Sequence, residues 1–167
     1  TEGFQYLTED RSDQLTPVFD LILANARGLN LPICTLESEF FPSQFEIIFE
    51  PRQGLVHADN VVLLRSMVKQ VCRRAGYHAT FMCAPKYEGT MASGWHLHQS
   101  LADRDSGANL FEADDRRPLS AIGAPWAVGR LKRANESCIC AVPTVNGYRW
   151  FKAHAMVPDR ARWSQDH

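Results

Sequence analysis

Between Phe45 and Glu50, Phe45, Ile47 and Phe49 alternate with Glu46, Ile48 and Glu50. A two-residue period of this kind marks a strand buried on one face. That face needs an apolar cover, and the flanking sequence supplies it at helical spacing. Leu15, Val18, Phe19 and Ile22 repeat at i, i+3, i+4 and i+7, which predicts an amphipathic helix from Ser12 to Arg27. Ser12 or Asp13 is expected to cap its start and Gly28 to end it. Val61, Leu64, Val68, Val71, Cys72 and Ala75 form the stripe of a second helix, about Ala58 to Ala75, with Arg65, Lys69 and Arg73 on its far side and Gly76 as its stop.

Residues 31–39 read as a strand joined to 45–50 by a short turn. His78 to Met82 and Gly94 to Leu101 read as two more strands, 102–118 as a polar surface excursion, and 119–141 as a third helix. There is no internal repeat. Helix, two strands, helix, two strands, helix predicts an α+β fold, an antiparallel sheet with helices on one face.

Eighteen Lys and Arg against nineteen Asp and Glu give a net charge of -1 over 167 residues, with no basic block. This excludes the footprint of a dedicated nucleic-acid binder. The apolar stretches fall short of a membrane span, so no membrane partner is expected. The five cysteines follow no framework spacing, and no basic region precedes an apolar core, so reduced thiols and a cytoplasmic setting are expected. Cys138 and Cys140 form a close pair that reads as buried small residues, since no matching thiolates or imidazoles complete a soft metal site.

Three groups of residues carry chemistry. Glu46 faces away from Phe45, Ile47 and Phe49, and Glu39, seven residues earlier, is expected alongside it across the turn. Two adjacent carboxylates repel unless a cation or proton intervenes. A divalent cation such as Mg2+ suits their hard oxygens; the other reading is two solvated strand glutamates. In an extended segment His96, His98 and Ser100 share one side, about 7 Å apart, opposite Trp95, Leu97 and Gln99. Such a face suits a metal and phosphate oxygens, although His-x-His also arises on plain exposed strands. Asp59 reads as a helix N-cap. Tyr148 and Arg149 suit either an anionic substrate or a turn.

Glu39-Phe40-Phe41-Pro42-Ser43-Gln44-Phe45-Glu46 resembles the E-x-G-P-x-Q-F-E pattern of glutamine synthetases. Ala58-Asp59, Ala79 to Met82, and Ser93-Gly94-Trp95-His96-Leu97-His98-Gln99-Ser100 follow in that family's order and spacing, as do Pro143 to Arg149 and Ala155 to Trp163. The nearest branch in pattern is the γ-glutamyl-amide ligases, including γ-glutamylpolyamine synthetase-like enzymes. The resemblance implies the family's creatine-kinase-like catalytic domain and an ATP-dependent ligase that joins a carboxylate to ammonia or an amine through an acyl phosphate. It implies that Glu39 and Glu46 hold one divalent metal (Mg2+ or Mn2+) and His96 a second. His98 and Ser100 then contact nucleotide phosphates, and Gly94 and Arg149 bind substrate. The implied partners are small-molecule amine and carboxylate substrates and further copies of the chain in a ring. It also implies a larger whole, with an N-terminal β-grasp domain, a metal-binding E-x-E strand before Thr1 and arginine-bearing segments after His167. On that reading these residues alone form no complete site.

The departures are specific. Met91 and Ala92 stand where the family has Asn-Gly, Ala84 where it has lysine, Trp150 where it has arginine, and Met156 where it has glutamate. Polar groups replaced by apolar ones point to a different, bulky or aromatic, substrate, or to a non-catalytic relative that binds or scaffolds. A third alternative is a metal hydrolase or oxygenase built on His96, His98 and a glutamate, with His78 as the candidate extra ligand.

Overall fold

The computed structural model describes residues 7–83, 85–88, 90, 93–113 and 120–126. Thr1–Ala92 and Ser93–His167 form two compact units. The first contains α1 (Glu9–Gly28), β1 (Ile33–Ser38), β2 (Phe45–Phe49) and α2 (Val56–Arg74) in that order. This is the α+β hairpin and helix pair expected of residues 12–75.

Both helices extend beyond the expected starts. Ser12 is inside α1, its amide donating to the Thr8 carbonyl at 3.0 Å, so neither it nor Asp13 is the cap; Thr8 is. Asp59 likewise sits in the first turn of α2 behind Leu55 at the cap position. It acts there through the helix dipole rather than by capping. The C-termini obey one rule with different residues. Gly76, at φ +84°, donates to the Arg73 carbonyl at 3.2 Å while Tyr77 donates to Cys72 at 2.9 Å. At the end of α1 Asn30, not Gly28, takes the left-handed position (φ 53°), with Asn30 donating to Arg27 and Leu31 to Ala26. Asn substitutes for Gly there because its short polar side chain tolerates positive φ.

β1 and β2 pair antiparallel: Ser38 opposite Phe45, Glu37 opposite Glu46, Leu36 opposite Ile47, Thr35 opposite Ile48, and Ile33 opposite Phe49, with a bulge at Cys34. The bulge returns Ile33 to the face of Leu36. Ile33, Leu36, Phe45, Ile47 and Phe49 then pack on a core of Ile22, Ala26, Leu31, Leu64, Met67, Val68, Val71 and Cys72. Phe19 meets Phe45 edge to face at 5.3 Å. A lone hairpin is marginal in water; α1 and α2 stabilise this one by burying its apolar face. Ala75 is exposed instead of completing the α2 stripe, Met67 takes a buried place, and the Arg65 guanidinium lies 5.1 Å over the Phe81 ring rather than on a far face.

The loop Phe40–Ser43 is closed by the Glu39 amide donating to Gln44 at 2.9 Å, with Ser43 at φ 63°. A non-glycine residue in that region carries a steric cost of roughly 1–2 kcal/mol. Ser43→Gly is therefore expected to raise stability by a few tenths to about 1 kcal/mol after the added freedom of the unfolded chain is subtracted. Chemical denaturation followed by circular dichroism checks this, and a fall in stability contradicts it.

The two further expected strands are not strands. Among the described residues, no strand pairs with 78–82 or 94–101. Alternation specifies which side chains face inward, but a ladder also needs a neighbour for the amide and carbonyl groups. Ala79 and Phe81 still alternate into the core. In the second unit Ala102 bridges Asn109 around a tight loop. There Asp103 Oδ1 accepts from the Ser106 amide and hydroxyl, each at 2.8 Å, and from the Asp105 amide at 3.1 Å, which holds its carboxyl below the usual carboxylate range. Of the expected third helix, 123–126 form one turn, and 127–141 lie outside the described residues.

Candidate functional site

The hairpin has two faces, and the one away from the helices carries the carboxylates. Glu46 is central in β2 and half-buried. Its direct partner is Glu37, not Glu39. Glu39 lies two residues further along, backbone-paired with Gln44, so it is diagonal to Glu46 on the same face. Directly opposed side chains have Cβ atoms about 5 Å apart and diagonal ones about 7–8 Å. Glu39 and Glu46 are thus neighbours, with a third carboxylate, Glu37, beside both: directly opposite Glu46 and two residues before Glu39. Counting back from the closing pair Glu39–Gln44 is the signal that locates Glu37.

The geometry sets a definite electrostatic problem. Like charges directly across a ladder destabilise by a few tenths to about 1 kcal/mol. The Glu39 carboxylate is oriented in part by its own turn, accepting from the Phe40 amide at 3.2 Å. The donors on this face are carboxylate oxygens, which fit a hard divalent cation such as Mg2+ or Mn2+ and do not suit a soft one. Among the described residues, no three His, Cys, Asp or Glu side chains converge as a metal cage. The hairpin presents the pair on one face; it does not close a shell by itself.

His96, His98 and Ser100 lie in the second unit, on an exposed segment without regular structure. The one-sided arrangement expected of a strand is therefore not enforced there by a ladder. A Cβ added to Gly94 would lie 2.8 Å from the His96 imidazole Nε2. Arg149, with Tyr148, Trp150, Met156 and the Cys138–Cys140 pair, lies outside the described residues, as do Ala84, Met91 and Ala92.

Two histidines of the first unit have aromatic partners. His57 stacks on Phe49 at 5.5 Å with rings 2° from parallel. His78 meets Tyr87 edge to face at 6.2 Å. Cys34, Cys72 and Cys83 are free thiols, and burial pushes the Cys72 thiol up. Among the described residues, no helix is long and apolar enough to cross a membrane.

Comparison with known proteins places these features in a family. The family model described as "Glutamine synthetase, catalytic domain" matches residues 1–167. A γ-glutamylanilide synthase of an Acinetobacter species is 41% identical over 166 residues, 99% of this chain and 33% of that protein. A glutamate–isopropylamine ligase of a Pseudomonas species is 27% identical over 140 residues, 84% of this chain and 30% of its own length. The solved complex of GmaS with ADP (conformation 1) superposes with a TM-score of 0.73 at 26% identity, covering 94% of this chain and 36% of that one. The chain thus spans about a third of the length of the relatives it matches. With its helix-backed hairpin, its paired carboxylates and the family match over residues 1–167, this chain belongs to the glutamine synthetase family, in the region of the catalytic domain.

Proposed function

We propose that these residues are part of the catalytic domain of an ATP-dependent carboxylate–amine ligase that forms a γ-glutamyl amide. The observation that carries this reading is the hairpin register, which sets Glu39 and Glu46 as neighbours on the face turned away from the helices. In this reading Glu39 and Glu46 hold one divalent cation, Mg2+ or Mn2+, and His96 holds a second. The cations, when bound, neutralise phosphoryl oxygens of ATP. His98 and Ser100 hydrogen-bond those oxygens and orient the γ-phosphoryl group, while Gly94 and Arg149 bind the carboxylate substrate. A substrate carboxylate oxygen attacks the γ-phosphorus and ADP leaves, giving an acyl phosphate. The amine nitrogen then attacks the acyl carbon, phosphate leaves, and the nitrogen loses a proton to complete the amide. Positioning and charge neutralisation supply most of the acceleration.

The acceptor is an aromatic or otherwise bulky amine. Ala84, Met91, Trp150 and Met156 replace polar groups of the family pattern with apolar ones. An apolar pocket favours an apolar amine over ammonia through burial of its hydrocarbon surface. The similarity to a γ-glutamylanilide synthase supports the same class of acceptor. The whole protein is proposed to be longer than these residues, cytoplasmic, and assembled as a homo-oligomeric ring.

The test is ADP release by the protein containing the intact catalytic domain, with Mg2+, ATP, glutamate and a panel of ammonia, alkyl amines and anilines. Aniline-type amines are expected to give the highest kcat/KM, and hydroxylamine to trap the acyl phosphate as a hydroxamate. Absence of both ADP release and hydroxamate with every amine sinks the ligase reading in favour of a non-catalytic relative. Zinc or iron bound jointly by His96 and His98 favours the hydrolase or oxygenase alternative.

A further inference from the structure

Arg11 stands where the apolar stripe of α1 would carry a hydrocarbon. The buried residues of that helix are Arg11, Leu15, Ile22 and Ala26, which fall on one helical face. Arg11 is 2% exposed, as buried as Ala26, yet its guanidinium keeps its charge at every ordinary pH. Its Nε and Nη2 atoms are closed off from solvent, and neither has a hydrogen-bond partner. These two nitrogens form one edge of the planar guanidinium, the fork that takes both oxygens of a carboxylate at once.

The helix offers no such carboxylate. Three and four residues from Arg11 stand Leu7, Thr8, Gln14 and Leu15, and residues at those separations are its neighbours on the helix surface. Asp10 accepts from Gln14 Nε2 at 3.0 Å instead. A second unmet donor lies toward the same end of the layer. Ser38 is 1% exposed and its hydroxyl has no partner either. It is opposite Phe45 at the loop end of the hairpin, and Phe19 of α1 meets the Phe45 ring. The C-terminus of α1 joins β1 at the other end, so the half of α1 that bears Arg11 extends toward the hairpin loop.

We propose that Arg11 is the receptor for a carboxylate side chain of this protein, held on the Nε and Nη2 edge and supplied by a segment beyond these 167 residues that packs over the start of α1. An unpaired buried cation is among the heaviest penalties a fold can carry, and a bidentate carboxylate is the acceptor whose shape and charge answer it. Occlusion of both nitrogens selects a side chain over a freely exchanging anion, because the acceptor has to arrive as part of a packed segment. The chain spans about a third of the length of the relatives it matches, which leaves ample sequence to supply one. The inference rests on the proposal that the protein is longer than these residues, and not on its ligase chemistry.

The experiment compares wild type, Arg11→Met and Arg11→Lys in the protein with its intact catalytic domain, dialysed free of small carboxylates, by thermal unfolding without ATP or amine. Methionine keeps an unbranched side chain and removes the charge, whereas lysine keeps the charge and removes the fork. Paired and unpaired arginine predict opposite signs. With a carboxylate in place, Arg11→Met strands it, and the midpoint is expected to fall by on the order of 5–10 °C at neutral pH. Arg11→Lys is expected to fall between wild type and Arg11→Met. The stranded carboxyl has a higher pKa folded than unfolded, so the deficit of Arg11→Met is expected to shrink as pH falls from about 7.5 to about 5. An Arg11→Met protein that folds only at the lower pH is the extreme form of that result. If it folds at neither pH, Arg11→Lys decides: a lowered midpoint supports the fork and a wild-type midpoint overturns it. An unchanged or raised midpoint in Arg11→Met overturns the proposal, as does a deficit independent of pH, which marks lost packing alone. Acetate that raises the wild-type midpoint but not that of Arg11→Met assigns the fork to a free carboxylate and overturns the side-chain source. Loss of ligase activity with these midpoints as expected bears on the ligase reading alone.

Discussion

Glu46→Gln is expected to lower metal-dependent ADP release by about 10²–10³-fold in the protein with its intact catalytic domain, while leaving the metal-free fold as stable as before or more so. The two halves of this result have opposite signs for one reason. Glu46 lies directly across the ladder from Glu37 and diagonal to Glu39. Without a cation the face carries neighbouring negative charges, and glutamine, equal in shape, removes one of them. Relief of a directly opposed like-charge pair gives a few tenths to about 1 kcal/mol. With a cation in place, the same substitution removes an anionic ligand, and loss of about 3–4 kcal/mol of charge stabilisation corresponds to the predicted fall in rate. The check is a pair of measurements: a denaturation midpoint in chelator, expected to hold or rise, and ADP release against Mg2+ concentration, expected to collapse. Glu37→Gln is the companion variant, since it relieves the same repulsion and spares both assigned ligands. Retained turnover in Glu46→Gln rejects the metal assignment, whatever the midpoint does.

The parts of this fold legible in the sequence are those specified by a face. The stripes Leu15–Ile22 and Leu64–Cys72 predicted two helices, and the alternation from Phe45 to Phe49 predicted the buried side of β2; these rest on periods of about 3.6 and 2 residues, which any apolar cover enforces. Pairing and termination are less legible because they depend on partners. Glu39 was expected beside Glu46, but a four-residue loop closed by Glu39 and Gln44 brings Glu37 into the opposed position. Gly28 is the last residue of α1, as the sequence predicts, but the left-handed turn that follows is made by Asn30 rather than by the glycine. Residues 78–82 and 94–101 alternate as strands do, and Ala79 and Phe81 of the first segment find the core, but alternation carries no information about which strand supplies the ladder.

Ile22→Ala is expected to destabilise the first unit by about 3–4 kcal/mol, a large share of the roughly 5–15 kcal/mol available to a domain. Ile22 is fully buried at 0% exposure, in a cluster with Ala26, Leu31, Leu64, Val68 and Val71. Its truncation leaves a cavity between helices and hairpin that well-packed neighbours cannot fill. Val62→Ser, at a residue of α2 70% exposed, is the matched control and is expected to stay within about 0.5 kcal/mol of wild type. Guanidinium denaturation of both variants measures the difference, and equal midpoints reject the assigned core. The consequence reaches the carboxylates through named contacts. Ile22 holds α1 in the cluster on which Phe45 and Ile47 pack, and Phe19, on the same helix, meets the Phe45 ring. Phe45 and Ile47 are the immediate neighbours of Glu46 on β2, so loosening α1 loosens the strand that aims the carboxylate. Activity lost in Ile22→Ala should therefore return when the folded state is restored by lower temperature or a stabilising osmolyte. Activity lost in Glu46→Gln should not return under either treatment, because that fold was never impaired. That contrast separates residues that hold the hairpin from the residue that uses it.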